Sequence, residues 1–476
     1  MRKWYVMVAV AAGLFLGTID MSIVNIALPT LEQQLHTRFA IVQWVVLSYM
    51  LTVATLMLVV GRLADILGKK PLYLAGFIIF TLGSGLCGLA NSIALLIAFR
   101  IVQAIGAAMV TALGAAIITE AFPPEERGKA LGISGLMVSI GLISGPTLGG
   151  ILLGALSWHW IFFVNLPVGL AGILLVMRFV PNTPAAGRER FDFPGAFSLF
   201  SGLLTFLLAL TFGQNQGFGS PGVWVLLGIS MSSFVLFTLI ERQASQPMIH
   251  LGLFRNKLFS VNLLTAFITF ISSAGSVLLM PFFLQNVLQY DPRSAGLLMS
   301  VVPISMGLVA PISGSLSDRF GTRRLTVIGL AVLLFGYIAV STLDQNTRSL
   351  GYILRFLPVG LGMGLFQSPN NSAIMGAAPP NRLGVASSLL SLTRTIGQTT
   401  GIAVLGALWA GRIHAMLGFG FAGTATSAPA SIQVAALRQT LLAIVVVIAS
   451  ALGLSLWALW KERSVADTSW RPKTAH

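Results

Sequence analysis

Gly61-Arg62-Leu63-Ala64-Asp65-Ile66-Leu67-Gly68-Lys69-Lys70 is a short polar stretch between two long apolar runs. It returns 253 positions later as Gly314-Ser315-Leu316-Ser317-Asp318-Arg319-Phe320-Gly321-Thr322-Arg323-Arg324. In register the two copies share a leading Gly, a Leu, an Asp, a second Gly and trailing basic residues. Each copy joins two stretches long enough to cross a bilayer, so the chain reads as a duplicated membrane unit.

Composition identifies the solvent. Only 9% of the 476 residues are charged and 55% are hydrophobic, where a soluble domain carries roughly 25% charged residues. The net charge of +15 does not imply nucleic acid, because the basic residues are spread over the ends of apolar runs, as anchors facing lipid headgroups are. The single cysteine, Cys87, lies in an apolar run and reads as a packed side chain. The first apolar run is too long for a cleavable signal.

Runs of about 20 residues can span as helices. They fall near 5 to 28, 41 to 60, 71 to 90, 93 to 119, 130 to 153, 160 to 180, 193 to 212, 223 to 240, 258 to 287, 296 to 316, 325 to 343, 350 to 375, 386 to 410 and 436 to 460. That gives an all-α membrane protein with fourteen spans. With the N-terminus inside, Lys and Arg gather in the inner loops and leave only Arg38, Arg293, Arg348, Arg412 and Arg438 outside. Both termini are therefore expected in the cytoplasm.

The repeat extends beyond the loop. Pro123-Pro124 with Gly128 matches Pro379-Pro380 with Gly384 at a spacing of 256, and Gly141 and Gly145 match Gly397 and Gly401 at the same spacing. Two six-helix bundles follow, over 1–190 and 246–476, with two inserted helices in 191–245. Six helices return the chain to its starting side, so the halves are parallel repeats, a transporter architecture.

These residues resemble a known family. The loop 61 to 70 is similar to the signature G-x-x-x-D-R/K-x-G-R/K-R/K of the major facilitator superfamily, and Leu96 to Gly106 resembles its fourth-helix motif with Arg100, Gln103 and Gly106. Gly141 to Gly150 resembles the fifth-helix motif of antiporters, and Asp20 to Pro29 the first-helix motif of the fourteen-helix drug:proton antiporters. Ile66 replaces the usual basic residue after Asp65, and Ser22 the usual Thr. The resemblance implies multidrug efflux, and with it antibiotic resistance, driven by protons across the inner membrane of a bacterium. It also implies a gate in which Gly61, Asp65, Gly68, Lys69 and Lys70, echoed by Asp318 and Arg319, latch the outward-facing state. The alternative is plain topology, with the lysines holding the loop inside.

Asp20 is the one acid well inside any of the runs. A carboxylate at that depth costs at least ~2.5 kcal/mol on insertion scales and commonly faces a cavity. At ~1.5 Å per residue, Asp20 and Arg100 lie about 13 and 12 Å from the outer ends of their helices, at matching depth. A proton-coupling role for Asp20 and Arg100 stands beside a static ion pair that fixes packing. Ser273 occupies the position of Asp20 in the second half, so coupling is expected in the first half alone. Arg355 and Arg394 read as structural, Glu120 as interfacial, and Asp192 and Glu241 as solvated.

Gly141, Gly145 and Gly149 share a helix face that lets a neighbour approach closely, while Pro146 removes a backbone donor. With Gly150 they read both as packing and as a seam on which the halves rock. For a substrate, Asp20, Asn25, Trp44, Tyr49, Gln103, Met306, Met363 and Phe366 are the candidates, suited to flat lipophilic cations through stacking and soft contacts. No metal-ligand spacing occurs. No G-x4-G-K-S/T loop occurs either, so ATP is not expected as the energy source.

The chain thus reads as a non-enzymatic, monomeric secondary transporter that needs no cofactor beyond a proton gradient. Its expected partners are protons, membrane lipid and a cationic or amphiphilic small molecule, and not nucleic acid. A metabolite exporter or importer of the same fold and a non-transporting sensor or lipid-binding protein are the alternatives.

Overall fold

The computed structural model describes residues 2–182, 192–244, 251–377, 383–418 and 423–469. Within them the chain forms fourteen helices long and apolar enough to cross a membrane, and no strand. The first half comprises α1 (Arg2–Gln34), α2 (Trp44–Leu67), α3 (Lys69–Gly88), α4 (Ile93–Ala121), α5 (Pro124–Ala155) and α6 (Asn165–Phe179). The inserted pair is α7 (Phe193–Gln216) and α8 (Pro221–Gln243). The second half comprises α9 (Lys257–Phe282), α10 (Val301–Phe320), α11 (Thr322–Val340), α12 (Ser349–Ala377), α13 (Leu383–Leu417) and α14 (Ala430–Ser469). The boundaries drawn at 190 and 245 lie outside the described residues.

Both copies of the repeated loop turn on a glycine. Gly68 has φ 86° and Gly321 φ 88°, a backbone that side-chain-bearing residues rarely adopt, and each separates two helices by a single residue. The shared second glycine of the motif is thus the turn itself.

Within each half, small residues set the helix spacing. A Cβ at Gly141 would overlap the Thr18 hydroxyl, one at Gly145 the Ser22 hydroxyl, and one at Gly149 would lie 2.6 Å from Ile26 Cγ2. The glycine stripe of α5 therefore seats against α1. The second half repeats this, with Gly397 and Gly401 of α13 against the backbone of Phe267 and Ile271 in α9.

The halves meet at the end of the bundle remote from the termini. There Phe39 packs edge-on against Phe282 and Trp409, with centroids 5.0 and 4.9 Å away, and Gln285 Nε2 donates to Ile26 O at 3.0 Å. Thr147 and Ser300 share a hydrogen bond of 2.7 Å. A Cβ on Gly150 would lie 2.5 Å from Pro292 O, and one on Gly296 would overlap Pro146 O. Toward the termini the contact thins: a Cβ on Gly307 would be 3.6 Å from Ile143, and at Gly135, Gly61 and Gly376 nothing among the described residues lies within 4 Å. The bundle is thus closed at the far face and parted toward the terminal face.

Three expectations change. α1 continues through Pro29 to Gln34, which brings Glu32, 6% exposed, inside a spanning helix. Asp20 is therefore not alone. Glu241 is buried at 3% exposure rather than solvated, and Asp192 caps α7 by accepting the Gly195 N–H at 2.9 Å. The stretch 411 to 435, left between the runs expected at 386 to 410 and 436 to 460, is mostly helix, since α13 runs to Leu417 and α14 starts at Ala430.

The inserted pair is not merely peripheral. Gln214 of α7 accepts from Gln43 Nε2 at 3.1 Å, Thr211 accepts from Trp44 Nε1 at 3.0 Å, and α7 also packs on α13 of the second half. α8 leans on α7, with Ser230 Oγ donating to Gly202 O at 2.9 Å, and leaves Trp224, Val225 and Met231 exposed as a lipid-facing helix does.

Candidate transport site

Asp20 sits on the inner face of α1, fully buried with Arg100. Its Oδ2 accepts from Arg100 Nη1 at 2.6 Å. Its Oδ1 accepts from Gln103 Nε2 at 2.8 Å and from Asn165 Nδ2 at 3.0 Å. Arg100 also donates through Nε to Val45 O at 3.0 Å and through Nη1 to Gln103 Oε1 at 2.7 Å, and its guanidinium lies 4.0 Å from the Tyr49 ring centroid. Arg100 and Gln103 lie three residues apart and so share a helix face. Asn165 is fixed further by Ser84, whose Oγ accepts from Asn165 Nδ2 at 3.1 Å and donates to Phe162 O.

Asp20 and Arg100 thus form a buried ion pair with both side chains fully enclosed. Removing one partner of a buried pair leaves an uncompensated charge, at a cost of about 3–5 kcal/mol.

Sequence reasoning missed Asn165. It lies past the matched motifs, at the first residue of α6, and only the fold brings it to α1.

An open cavity lies between the halves, with empty space of about 1120 Å³ that includes solvent at its mouth. Asn25, Met306, Met363 and Pro146 line it, as do Met21, Ser22 and Met50 of the first half. Asp20 does not, because it turns into the first half while Met21, Ser22 and Asn25 on the same helix turn outward. Gln103 and Tyr49 belong to the Asp20 cluster, Trp44 is engaged by α7, and Phe366 is buried where α12 crosses Gly329 of α11. Six of the chain's sixteen methionines reach the cavity, with Phe270, Tyr337, Tyr352 and Phe356. A soft, aromatic wall of this kind suits varied amphiphiles.

Arg394, read from the sequence as structural, lines this cavity. Arg355 does hold structure, donating to Gly351 O and Thr342 Oγ1 at 2.9 Å each.

At the terminal face Lys69 pairs with Glu120 of α4, and Lys70 Nζ donates to Met177 O at 3.0 Å. Both lysines thus bind their own half here. Arg319 is exposed, and the side chains of Asp65 and Asp318 lie outside the described residues. Pro146 and Gly150 belong to the contact between halves, whereas Gly141, Gly145 and Gly149 face α1.

A family model described as Major Facilitator Superfamily matches residues 10–402. The chain is 36% identical over 411 residues to the riboflavin transporter RibZ of Clostridioides difficile, covering 86% of this chain and 89% of that one. It is 36% identical to the multidrug resistance protein Stp of Mycobacterium tuberculosis, covering 86% and 76%. With the multidrug transporter protein MdtP of Bacillus subtilis the identity is 31%, over 83% and 73%. Among solved structures, a bacterial homologue of the human lysosomal transporter Spinster aligns with a TM-score of 0.69 at 19% identity, over 99% of both chains.

Proposed function

The chain belongs to the Major Facilitator Superfamily, and from that premise we propose that it exports amphiphilic small molecules in exchange for protons by alternating access. The observation that carries this reading is the double duty of α1: Asp20 on one face holds the buried pair with Arg100, and Met21, Ser22 and Asn25 on the other line the cavity. A proton that releases Arg100 from Asp20 frees the packing of the helix that also contacts the substrate, which couples the two ligands through one rigid element.

In the orientation set by the positive-inside pattern, the closed face is outside and the parted face is cytoplasmic. The cavity then receives its substrate from the cytoplasm. The far-face contacts of Phe39, Gln285, Thr147 and Gly150 must part to release it, and a proton reaches Asp20 from outside in the other state. The inner membrane of a bacterium and a monomeric working unit complete the proposal. The names of relatives support both efflux of drugs and transport of a single vitamin-like solute, and the soft wall of the cavity favours the broader range.

The test is accumulation into inside-out proteoliposomes made acidic within, using flat aromatic probes of positive, zero and negative charge. At least one probe should accumulate while the gradient stands and leak out on addition of nigericin. No gradient-dependent accumulation of any probe would refute proton-driven export.

A further inference from the structure

Resting on that reading, we propose that Arg394 makes the central cavity an anion-accepting site, so that the substrates are flat aromatic amphiphiles carrying a carboxylate or a similar acidic group. Among the described residues that line the cavity, Arg394 is the one charged side chain, and none of them is Asp or Glu. The two nearest expectations of a counter-charge fail. Asp20 faces away and is taken by Arg100, and Glu32 lies at the far face against Thr426, whose Oγ1 donates to it at 2.6 Å.

Among the described residues Arg394 has no ion pair and no hydrogen bond. Its guanidinium carbon lies 5.6 Å from the centroid of the Phe270 ring. The contrast with Arg100, whose guanidinium makes three hydrogen bonds in a sealed cluster, separates a side chain that holds structure from one that offers donors to the cavity. A guanidinium presents a planar fork of N–H groups that matches a carboxylate in two parallel bonds.

Further free polar groups stand beside it. Gln398 lies one turn from Arg394 on the same face of α13, Gln367 reaches the cavity from α12, and neither makes a hydrogen bond among the described residues. Asn25 Oδ1 is buried and unpartnered while its Nδ2 donates to Met21 O at 2.8 Å. Such groups fix the polar end of a ligand, and Phe270, Tyr352, Phe356 and the methionines enclose an aromatic body. The acid-binding device is also confined to one half: the 256-residue spacing that relates Gly141 to Gly397 places Val138 where Arg394 would fall. Asp20 has its own uncharged counterpart in Ser273, which lines the cavity. The buried Asp20–Arg100 pair thus belongs to the first half and the charge that faces the cavity to the second.

This reverses the charge expected of the substrate. A cation entering the cavity meets a fixed positive group in a low-dielectric wall, whereas an acid gains charge-assisted hydrogen bonds there.

The test uses fluorescein and rhodamine 123, which share a three-ring frame and carry opposite charge, with binding to the full chain in detergent followed by fluorescence anisotropy. Fluorescein should bind the wild-type protein more tightly than rhodamine 123. Arg394→Gln should weaken fluorescein roughly tenfold to a hundredfold and strengthen rhodamine 123, a pair of opposite shifts that a folding defect cannot produce. Arg394→Lys should recover part of the fluorescein affinity. 2-Naphthoate should displace fluorescein; displacement by phosphatidylglycerol alone would assign the cavity to a lipid headgroup and overturn the proposal. So would fluorescein that fails to bind, or that binds Arg394→Gln as tightly as wild type. Gradient-driven accumulation of any probe by Arg394→Gln keeps the exporter reading intact even then, which separates the two failures.

Discussion

Replacing Gly150 by alanine should open the far face. Its added Cβ would lie 2.5 Å from Pro292 O, 3.1 Å from Arg293 Cα and 3.2 Å from Gly296 Cα. All three are backbone atoms of the opposite half, so no side chain can swing aside. The halves must separate by several tenths of an ångström or lose the contact. Overpacking of this kind costs about 1–3 kcal/mol, and it falls on the closed conformation alone. The gain in helix propensity on replacing glycine, up to about 1 kcal/mol, is shared by every conformation in which α5 is helical and cancels. The population closed at the far face should therefore fall roughly fivefold to 150-fold relative to the open one. Spin labels on cysteines at Ser157 and Asn346, exposed far-face positions in opposite halves, report the separation by electron-electron resonance. The one native cysteine, Cys87, is buried and will not compete. Gly150→Ala should add or enlarge a long-distance population. Gly135→Ala, on the same helix with nothing among the described residues within 4 Å, should leave the distances alone. A distance distribution for Gly150→Ala that superimposes on wild type would refute the argument that this glycine sets the closure.

Other perturbations probe the same closure and the buried pair. Thr426→Val removes a donor from the buried Glu32 carboxylate across the halves, a loss of about 1–3 kcal/mol, and should lengthen the same spin-label distance. Asp291, the N-cap of the short helix Pro292–Met299, is held below the usual carboxylate range by hydrogen bonds from Ser294 and from the Arg293 N–H. A depressed carboxyl stabilises above its unfolded value and loses that contribution as pH falls through its folded one. Asp291→Ala should thus cost about 1 kcal/mol at neutral pH, and its unfolding temperature should converge on wild type below about pH 4. Arg100→Gln should destabilise by about 3–5 kcal/mol by stranding Asp20. The double variant Asp20→Asn/Arg100→Gln should recover part of that loss in a thermal double-mutant cycle.

Fourteen spans were legible because each apolar run reaches the ~18 residues that a bilayer demands, and the repeated loop disclosed the duplication because its turn requires glycine at two equivalent places. The depth argument paired Asp20 with Arg100 correctly as neighbours, since helical rise converts sequence spacing into height. Height says nothing of azimuth. The sequence therefore did not reveal that Asp20 turns away from the cavity while Asn25 faces it, or that Arg394 faces the cavity while Arg355 folds back on its own helix. Glu32 was hidden by Pro29, read as the end of α1 although the helix continues through it. Glu241 was misplaced because a polar helix end was equated with exposure, whereas its side chain is buried against neighbouring structure. The seam glycines were found, but which of them face α1 and which face the other half depends on packing that no single helix pattern encodes.

The central claim is that Asp20 couples the proton to substrate movement. Asp20→Asn keeps the shape and an oxygen acceptor for Arg100 while removing the titrating group, so the folded protein should persist, as a thermal melt can verify. In proteoliposomes the variant should still exchange substrate across a membrane without a pH gradient and should fail to accumulate it when one is imposed. Accumulation by Asp20→Asn that matches the wild-type protein under the same gradient would contradict the account.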